Sequence, residues 1–241
     1  MPLAILPALL PDLPQLHHVY FLAFKHEPIL DILYPNGVAD RKAYDDGIAQ
    51  YRHVDRAGYV VKCVDTGTGE VVGMAQWDVF WQPDGENANA NSDANGDGRW
   101  TRPADIPWLE GADKERCLGF LRRLWDLRER FLGGRGHAFL SHIAVHPDHQ
   151  RRGAGRLLVQ WGMDVADQLR IPAYAEASKA GHSLYKRMGW ECLRHEKIEI
   201  RSADGLTGKL ELDIPLMVYM PQVAGGLRFE EWVRRGYPEL Q

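Results

Sequence analysis

The stretch VHPDHQRRGAGRLLVQW, from Val145 to Trp161, limits the fold more than any other part of the chain. It continues from HAFLSHIAVH, which reads as a buried strand because it is apolar on both parities except at Ser141 and His142. After Gly153-x-Gly155 come Ala154, Leu157, Leu158, Trp161 and Val165 at helical spacing, and IPAYAEAS then reads as the next strand. A strand thus passes through a Gly-x-Gly turn into a helix, which places the chain among α/β folds. Such a turn aims several unpaired backbone N–H groups and the positive end of the helix dipole at one point, and is an anion site by construction.

Three nucleotide-type ligands compete for the turn. A P-loop needs Lys-Ser/Thr after its last glycine, whereas Gly155 is followed by Arg156-Leu157. A dinucleotide fold would use Glu176 as its ribose-binding acid, about 20 residues on. Against it, Leu158 stands where the third glycine belongs, Pro147-Asp148 separate strand from glycines, and only one strand–helix–strand unit is evident. Coenzyme A, which carries a pyrophosphate, is the third.

Composition narrows the partners. The 241 residues carry a formal charge of −4, so the arginines near position 151 are a local feature and nucleic acid is not the expected partner. Cys63, Cys117 and Cys192 lie far apart with no Cys-x-x-Cys, which suits a reducing compartment. MPLAILPALLPDLP has no basic n-region and is interrupted by Pro2, Pro7, Pro11 and Pro14, so it reads as a non-helical arm and not a signal peptide. No apolar run reaches the roughly 20 residues of a membrane span. A soluble protein of the cytoplasm, or of the nucleus, is expected.

Along the chain, Leu16, Val19, Tyr20, Ala23 and Phe24 mark a first helix over Leu13 to Phe24, stopped near Pro28, and a more polar helix is expected from about Asp40 to Asp55. YVVKCVDTGTGEVVGMAQWDVF reads as a hairpin turning at Thr66-Gly67-Thr68-Gly69. Between Trp81 and Trp100 the composition shifts to Asn, Ala, Asp and Gly, an insertion or loop. Cys117, Phe120, Leu121, Leu124, Leu127 and Phe131 then form a helical stripe, with Arg122, Arg123, Arg128 and Arg130 read as a solvated face. A short helix with Leu184, Tyr185 and Met188 ends at Gly189, and two strands follow, near 191–200 and 209–220.

IAVHPDHQRRGAGRLL resembles the acetyl-CoA signature of the GNAT N-acetyltransferase superfamily, Gln/Arg-x-x-Gly-x-Gly/Ala, met here by Gln150-Arg151-Arg152-Gly153-Ala154-Gly155. LYKRMGW, from Leu184, is similar to the family's Leu-Tyr-x-x-x-Gly-aromatic motif, and the order of the preceding elements agrees. The resemblance covers about Leu13 to Met220, less the insertion. It implies a mixed, mostly antiparallel sheet flanked by helices, with strands 4 and 5 splayed around the thioester. It also implies a single domain over 1–241, with the insertion at about 82–112 and a tail over 221–241.

The same resemblance implies acetyl-CoA as cosubstrate and direct attack by a primary amine acceptor; a homodimer is a candidate assembly. Backbone N–H groups from Gln150, Arg151, Arg152, Gly153, Ala154, Gly155 and Arg156 would cradle the pyrophosphate. Ile143, Ala144 and Val145 would line the pantetheine arm, one N–H polarising the carbonyl, with Ser178 also on the cosubstrate. Tyr185 matches the family's general acid. Histone-acetylating members carry a glutamate where Phe139 falls, so Glu176, Ser141 and His142 are the candidate bases, with Glu176 first. Transfer of a longer acyl group, or a coenzyme-A-binding module without turnover, are the alternatives.

Plainer roles stand beside these. Gly153 and Gly155 could serve close packing, Tyr185 could be a core aromatic, Glu176 could pair with Arg170 or Lys179, and Ser178 reads most simply as a helix N-cap. His137, His142, His146 and His149 cluster without a carboxylate or cysteine to complete a set, so no metal site is expected. Asp93, Asn95, Asp97 and Gly98 match half of a calcium loop, but Ala104 stands where its bidentate glutamate belongs, so calcium binding should be weak or absent. For the acceptor, Tyr34, Trp77, Phe80 and Trp81 offer aromatic surface and Glu27, Asp31 and Asp78 offer acid.

Overall fold

The computed structural model describes residues 2–35, 58–81, 100, 102–103, 106, 109–201 and 209–240. The helix expected near 40–55 and the calcium half-motif lie outside them, as does most of the Asn-rich insertion. In chain order the elements are β1 Leu3–Pro7, α1 Leu13–Phe24, α2 Pro28–Leu33, β2 Gly58–Asp65, β3 Val71–Phe80, α3 Gly111–Leu132 and β4 His137–Val145. They continue with α4 Ala154–Leu169, β5 Ala173–Glu176, α5 Lys179–Arg187, β6 Glu191–Arg201, β7 Lys209–Tyr219 and α6 Phe229–Arg234.

The described strands form one mixed sheet in the order β1-β2-β3-β4-β5-β7-β6. Only β4 and β5 run parallel; every other neighbouring pair is antiparallel. The N-terminal arm is more than irregular chain: Leu3 to Pro7 pair with β2 as an edge strand, where prolines are tolerated. Pro28 does not simply end the first helix but starts α2, using the N1 position where its missing N–H costs nothing. No described helix is long and apolar enough to cross a membrane.

Two apolar layers sandwich the sheet. On one face α1 packs on Met74 and Ala144, and α3 on Phe139, Tyr174, Leu216 and Val218. On the other, α4 and α5 cover Ala75, Trp77, Ala138, Leu140, Ala173, Ala175 and Met217. Trp77 is fully buried there, its Nε1–H donating to the Leu158 carbonyl at 3.3 Å, and its ring lies where any side chain at Gly162 of α4 would be. This overturns its expected place at an acceptor site: the indole is core.

A bulge interrupts β4. Gln76 faces His142 and Trp77 faces Leu140, so Ser141 opposes no residue. One extra residue flips the side-chain parity. Ala138 and Leu140 before it, and Ile143 and Val145 after it, therefore all point to the α4 face, which accounts for a run apolar on both parities except around Ser141.

Candidate active site

The parallel pairing of β4 and β5 is short. Ala138, Phe139 and Leu140 pair with Ala173, Tyr174 and Ala175, and there it stops. Beyond the bulge β4 continues against β3 alone, while Glu176 pairs with Leu216 and the Ala177 N–H donates to the Pro215 carbonyl at 2.9 Å. A gap opens between the two strands. The His146 N–H donates to the Val72 carbonyl at 2.9 Å, so by alternation the backbone groups of 142 and 144 point to β3 and those of Ile143 and Val145 point into the gap. Ala144 instead turns its side chain to α1. The Gln150 side chain donates weakly, at 3.5 Å, to the Val145 carbonyl.

The turn that follows closes one end of the gap. Gly153 is the N-cap of α4 with φ 98°, a left-handed conformation that L side chains seldom adopt, although a Cβ there would meet nothing. Arg151 also has positive φ, 62°. Gly155 is glycine for a different reason, since its Cβ would sit 3.3 Å from Leu184 of α5. The first bond of the helix runs from the Leu157 N–H to the Gly153 carbonyl, at 3.1 Å, which leaves the N–H groups of Ala154, Gly155 and Arg156 outside the ladder. No acid occupies that first turn.

The two turn arginines differ in their commitments. Arg151 is exposed without an ion pair among the described residues, as is Arg156. Arg152 instead donates to the buried Asp65 carboxylate at 2.5 Å and to His149 Nδ1 at 2.6 Å. That hydrogen bond, with a second from the Gly67 N–H at 3.0 Å, holds the Asp65 carboxyl below the usual carboxylate range. His149 Nε2 also lies 3.4 Å from Glu70. The end of the β2–β3 hairpin thus fastens the turn, a role for Asp65 that its place in a hairpin sequence did not signal.

Tyr185 approaches from α5. It is buried, its ring 5.2 Å from that of Trp190 and close against Gly181, where an added Cβ would come within 3.0 Å of the ring. Burial pushes its phenol well above the ordinary tyrosine range. Ser178 caps α5 as expected, accepting from the Gly181 N–H at 3.2 Å.

The strand pair parts beside a helix N-terminus, and Tyr185 lies in the apolar layer on the α4–α5 face of the same sheet. The Acetyltransferase (GNAT) family model matches residues 27–190. The chain belongs to this family. Over 157 residues, 65% of this chain and 99% of the relative, it is 28% identical to a probable acyltransferase, SID5, of Ajellomyces capsulatus. Its fold matches a mosquito arylalkylamine N-acetyltransferase-like protein, 5b, with a TM-score of 0.57 and 19% identity, covering 91% of this chain and all, 100%, of that one. It also matches a putative acetyltransferase of Salmonella typhimurium solved with its cofactor acetyl-CoA, with a TM-score of 0.50 and 17% identity over 90% of this chain and 93% of that one. This GNAT chain is an acyltransferase enzyme.

On the opposite face of the GNAT sheet from Tyr185, the arginines of α3 are not all solvated as expected. Arg122 and Arg130 are exposed, and Arg123 reaches the buried Glu196 at 2.7 Å. Arg128 is buried: its Nη2 donates to Glu176 Oε1 at 3.3 Å, and its guanidinium lies 3.4 Å from the centre of the Phe139 ring. Glu176 therefore pairs with Arg128, not with Arg170 or Lys179. The position was legible in part, because Arg128 falls one turn from Leu124 and from Phe131 and so lies on the apolar stripe. What sequence periodicity could not supply was the carboxylate waiting 48 residues away.

His142 shares that face. Its Nδ1 lies 3.1 Å from Ser141 Oγ and its ring 5.4 Å from Tyr20 of α1, which in turn neighbours Phe24 and Tyr34. Burial, with a smaller push from His17, takes its pKa down to about 4, so the ring is neutral at ordinary pH. Tyr34 packs on Tyr20 and Phe21, whereas Phe80 pairs with His137 at the far end of β4 and packs on that ring at 4.9 Å. Tyr20 was missed as a site neighbour because its helical spacing reads only as core.

Proposed function

We propose that this enzyme transfers the acetyl group of acetyl-CoA to a primary amine by direct attack, with the thioester held in the gap between β4 and β5. The observation that carries the reading is the end of parallel pairing at Leu140 and Ala175, which opens the sheet beside the free N–H groups of α4. Gln150, Arg151, Arg152, Gly153, Ala154, Gly155 and Arg156 cradle the pyrophosphate through the turn, and Arg151 and Arg156 add unpaired positive charge. The pantetheine arm runs beside Ile143, Ala144 and Val145, an added strand bonded to the backbone groups of 143 and 145. Ser178 accepts from the Gly181 N–H at the cap and keeps its O–H for the cosubstrate.

The chemistry divides across the sheet. Amine nitrogen attacks the thioester carbon from the α1–α3 face, and a β4 backbone N–H stabilises the oxyanion. When the carbon–sulfur bond breaks, Tyr185 on the α4–α5 face gives its proton to the thiolate, and its raised pKa keeps that proton in place until then. Glu176, on the attacking face, takes the ammonium proton through a water. His142 is a second acceptor for it, favoured by a ring that burial keeps neutral on the same face. The products are an amide and free coenzyme A.

Tyr185→Phe tests the reading. It removes one oxygen and keeps the ring on Trp190. Expected is a fall in kcat of about 10²–10⁴-fold, with acetyl-CoA affinity and melting temperature near the parent's, measured by thiol release over a panel of primary amines. Normal turnover would make Tyr185 a packing residue.

A further inference from the structure

His182 of α5 and Cys192 and His195 of β6 converge. One ring nitrogen of each histidine and the Cys192 sulfur all lie within 4.8 Å of one another. In a tetrahedral zinc site, with Zn–N of about 2.0–2.1 Å and Zn–S of about 2.3 Å, ligand atoms sit roughly 3.3–3.7 Å apart. Side-chain rotation of about an ångström closes the difference.

The fold builds this cluster on purpose-fitting geometry. Residues three apart on a regular strand face opposite sides. Here the register jumps, since Cys192 pairs with Met217 and Arg194 with Leu216, so Leu193 is a bulge and Cys192 and His195 share a face. His182, on the helix packed against β6 and β7, brings its ring within 5.2 Å of the His195 ring, nearly perpendicular.

The hydrogen bonding points the same way. His182 Nε2 is buried and has no hydrogen-bond partner among the described residues, a costly state for an imidazole nitrogen. The Nδ1 of His195 is engaged by Asp213 at 2.9 and 3.1 Å, the carboxylate–histidine arrangement that fixes the tautomer and presents Nε2 to a metal. Among the described residues, Cys192 Sγ donates only one long bond, at 3.7 Å, to the Arg194 carbonyl.

We propose that His182, Cys192 and His195 bind a zinc-class divalent cation, with Asp213 as the outer carboxylate and water in the fourth position. A thiolate with two imidazoles is a borderline-soft donor set, which favours zinc over magnesium or calcium. Binding displaces the Cys192 thiol proton. The metal would tie β6 to α5 one helical turn from Tyr185. Nothing in this site depends on acyl transfer.

Cobalt titration of the metal-stripped full chain tests it. The parent protein should develop a thiolate-to-cobalt charge-transfer band and tetrahedral ligand-field bands, which zinc then bleaches. Cys192→Ser should lose the charge-transfer band, Cys63→Ala should keep it, and Asp213→Asn should weaken affinity by about 10–100-fold. Absence of the band in the parent, or its persistence in Cys192→Ser, overturns the proposal. Should Cys192→Ser fail to fold, alkylation of the parent decides: zinc should protect Cys192, read by peptide mass, and undiminished labelling of Cys192 refutes the site.

Discussion

Arg128 and Glu176 allow structural and chemical roles to be separated by experiment. Their side chains are 6% and 13% exposed and meet at 3.3 Å. At that burial, removing one partner strands the other charge, and Arg128→Met should destabilise the fold by about 3–5 kcal/mol. Loss of the guanidinium over Phe139 contributes about 1 kcal/mol of that. Arg128→Met/Glu176→Leu should recover most of the stability, because a buried pair replaced by apolar side chains is often neutral or better. Urea unfolding with an unchanged m-value measures both.

A loss under about 1 kcal/mol for Arg128→Met, the value for an exposed pair, would show that the pair is effectively solvated, and a double variant as unstable as the single one would show that no stranded charge caused the loss. Activity adds the second half. If Glu176 takes the ammonium proton, the double variant regains stability and not kcat; if it merely holds Arg128, both return.

Three more outcomes follow from single positions. Gly153→Pro should abolish acetyl-CoA binding in isothermal titration, since proline cannot adopt φ 98°; unchanged affinity would remove the turn from the cosubstrate site. Burial lowers the pKa of His137 to about 3 and that of His142 to about 4, so between there and about 6.5 the unfolded chain binds protons that the folded one refuses. Stability is then full above about pH 6.5 and falls with acidification by up to about 1.4 kcal/mol per pH unit for each group, a slope that His137→Leu should reduce in urea midpoints. Gly162→Ala would set a Cβ 2.2 Å from the Trp77 ring. The overpacking, about 1–3 kcal/mol or more, should exceed the roughly 1 kcal/mol that alanine gains in a helix, and a raised melting temperature would show that the ring has room.

Local chemistry determined a good deal of this protein on its own. Gly153 suits a turn whose backbone is left-handed at φ 98°, and Ser178 caps α5 with a short hydroxyl side chain just before the helix; both facts lie within a few residues of chain. The strand, turn and helix around Val145 were legible for the same reason, each being written in period and turn residues.

What joins distant segments was decided only in the folded chain. Whether Arg128 was solvated or buried depended on Glu176 arriving at the end of β5, and Asp65 became the anchor of the turn only when the hairpin folded onto it. The Ser141 bulge changed which residues of β4 face which layer, a register shift that alternation in the strand itself leaves undetermined. His182, Cys192 and His195 likewise share one site through a bulge at Leu193 and a helix packed across it. Turn and capping preferences act over one or two turns of chain, whereas ion pairs, strand register and ligand clusters are fixed by which surfaces the buried core brings together.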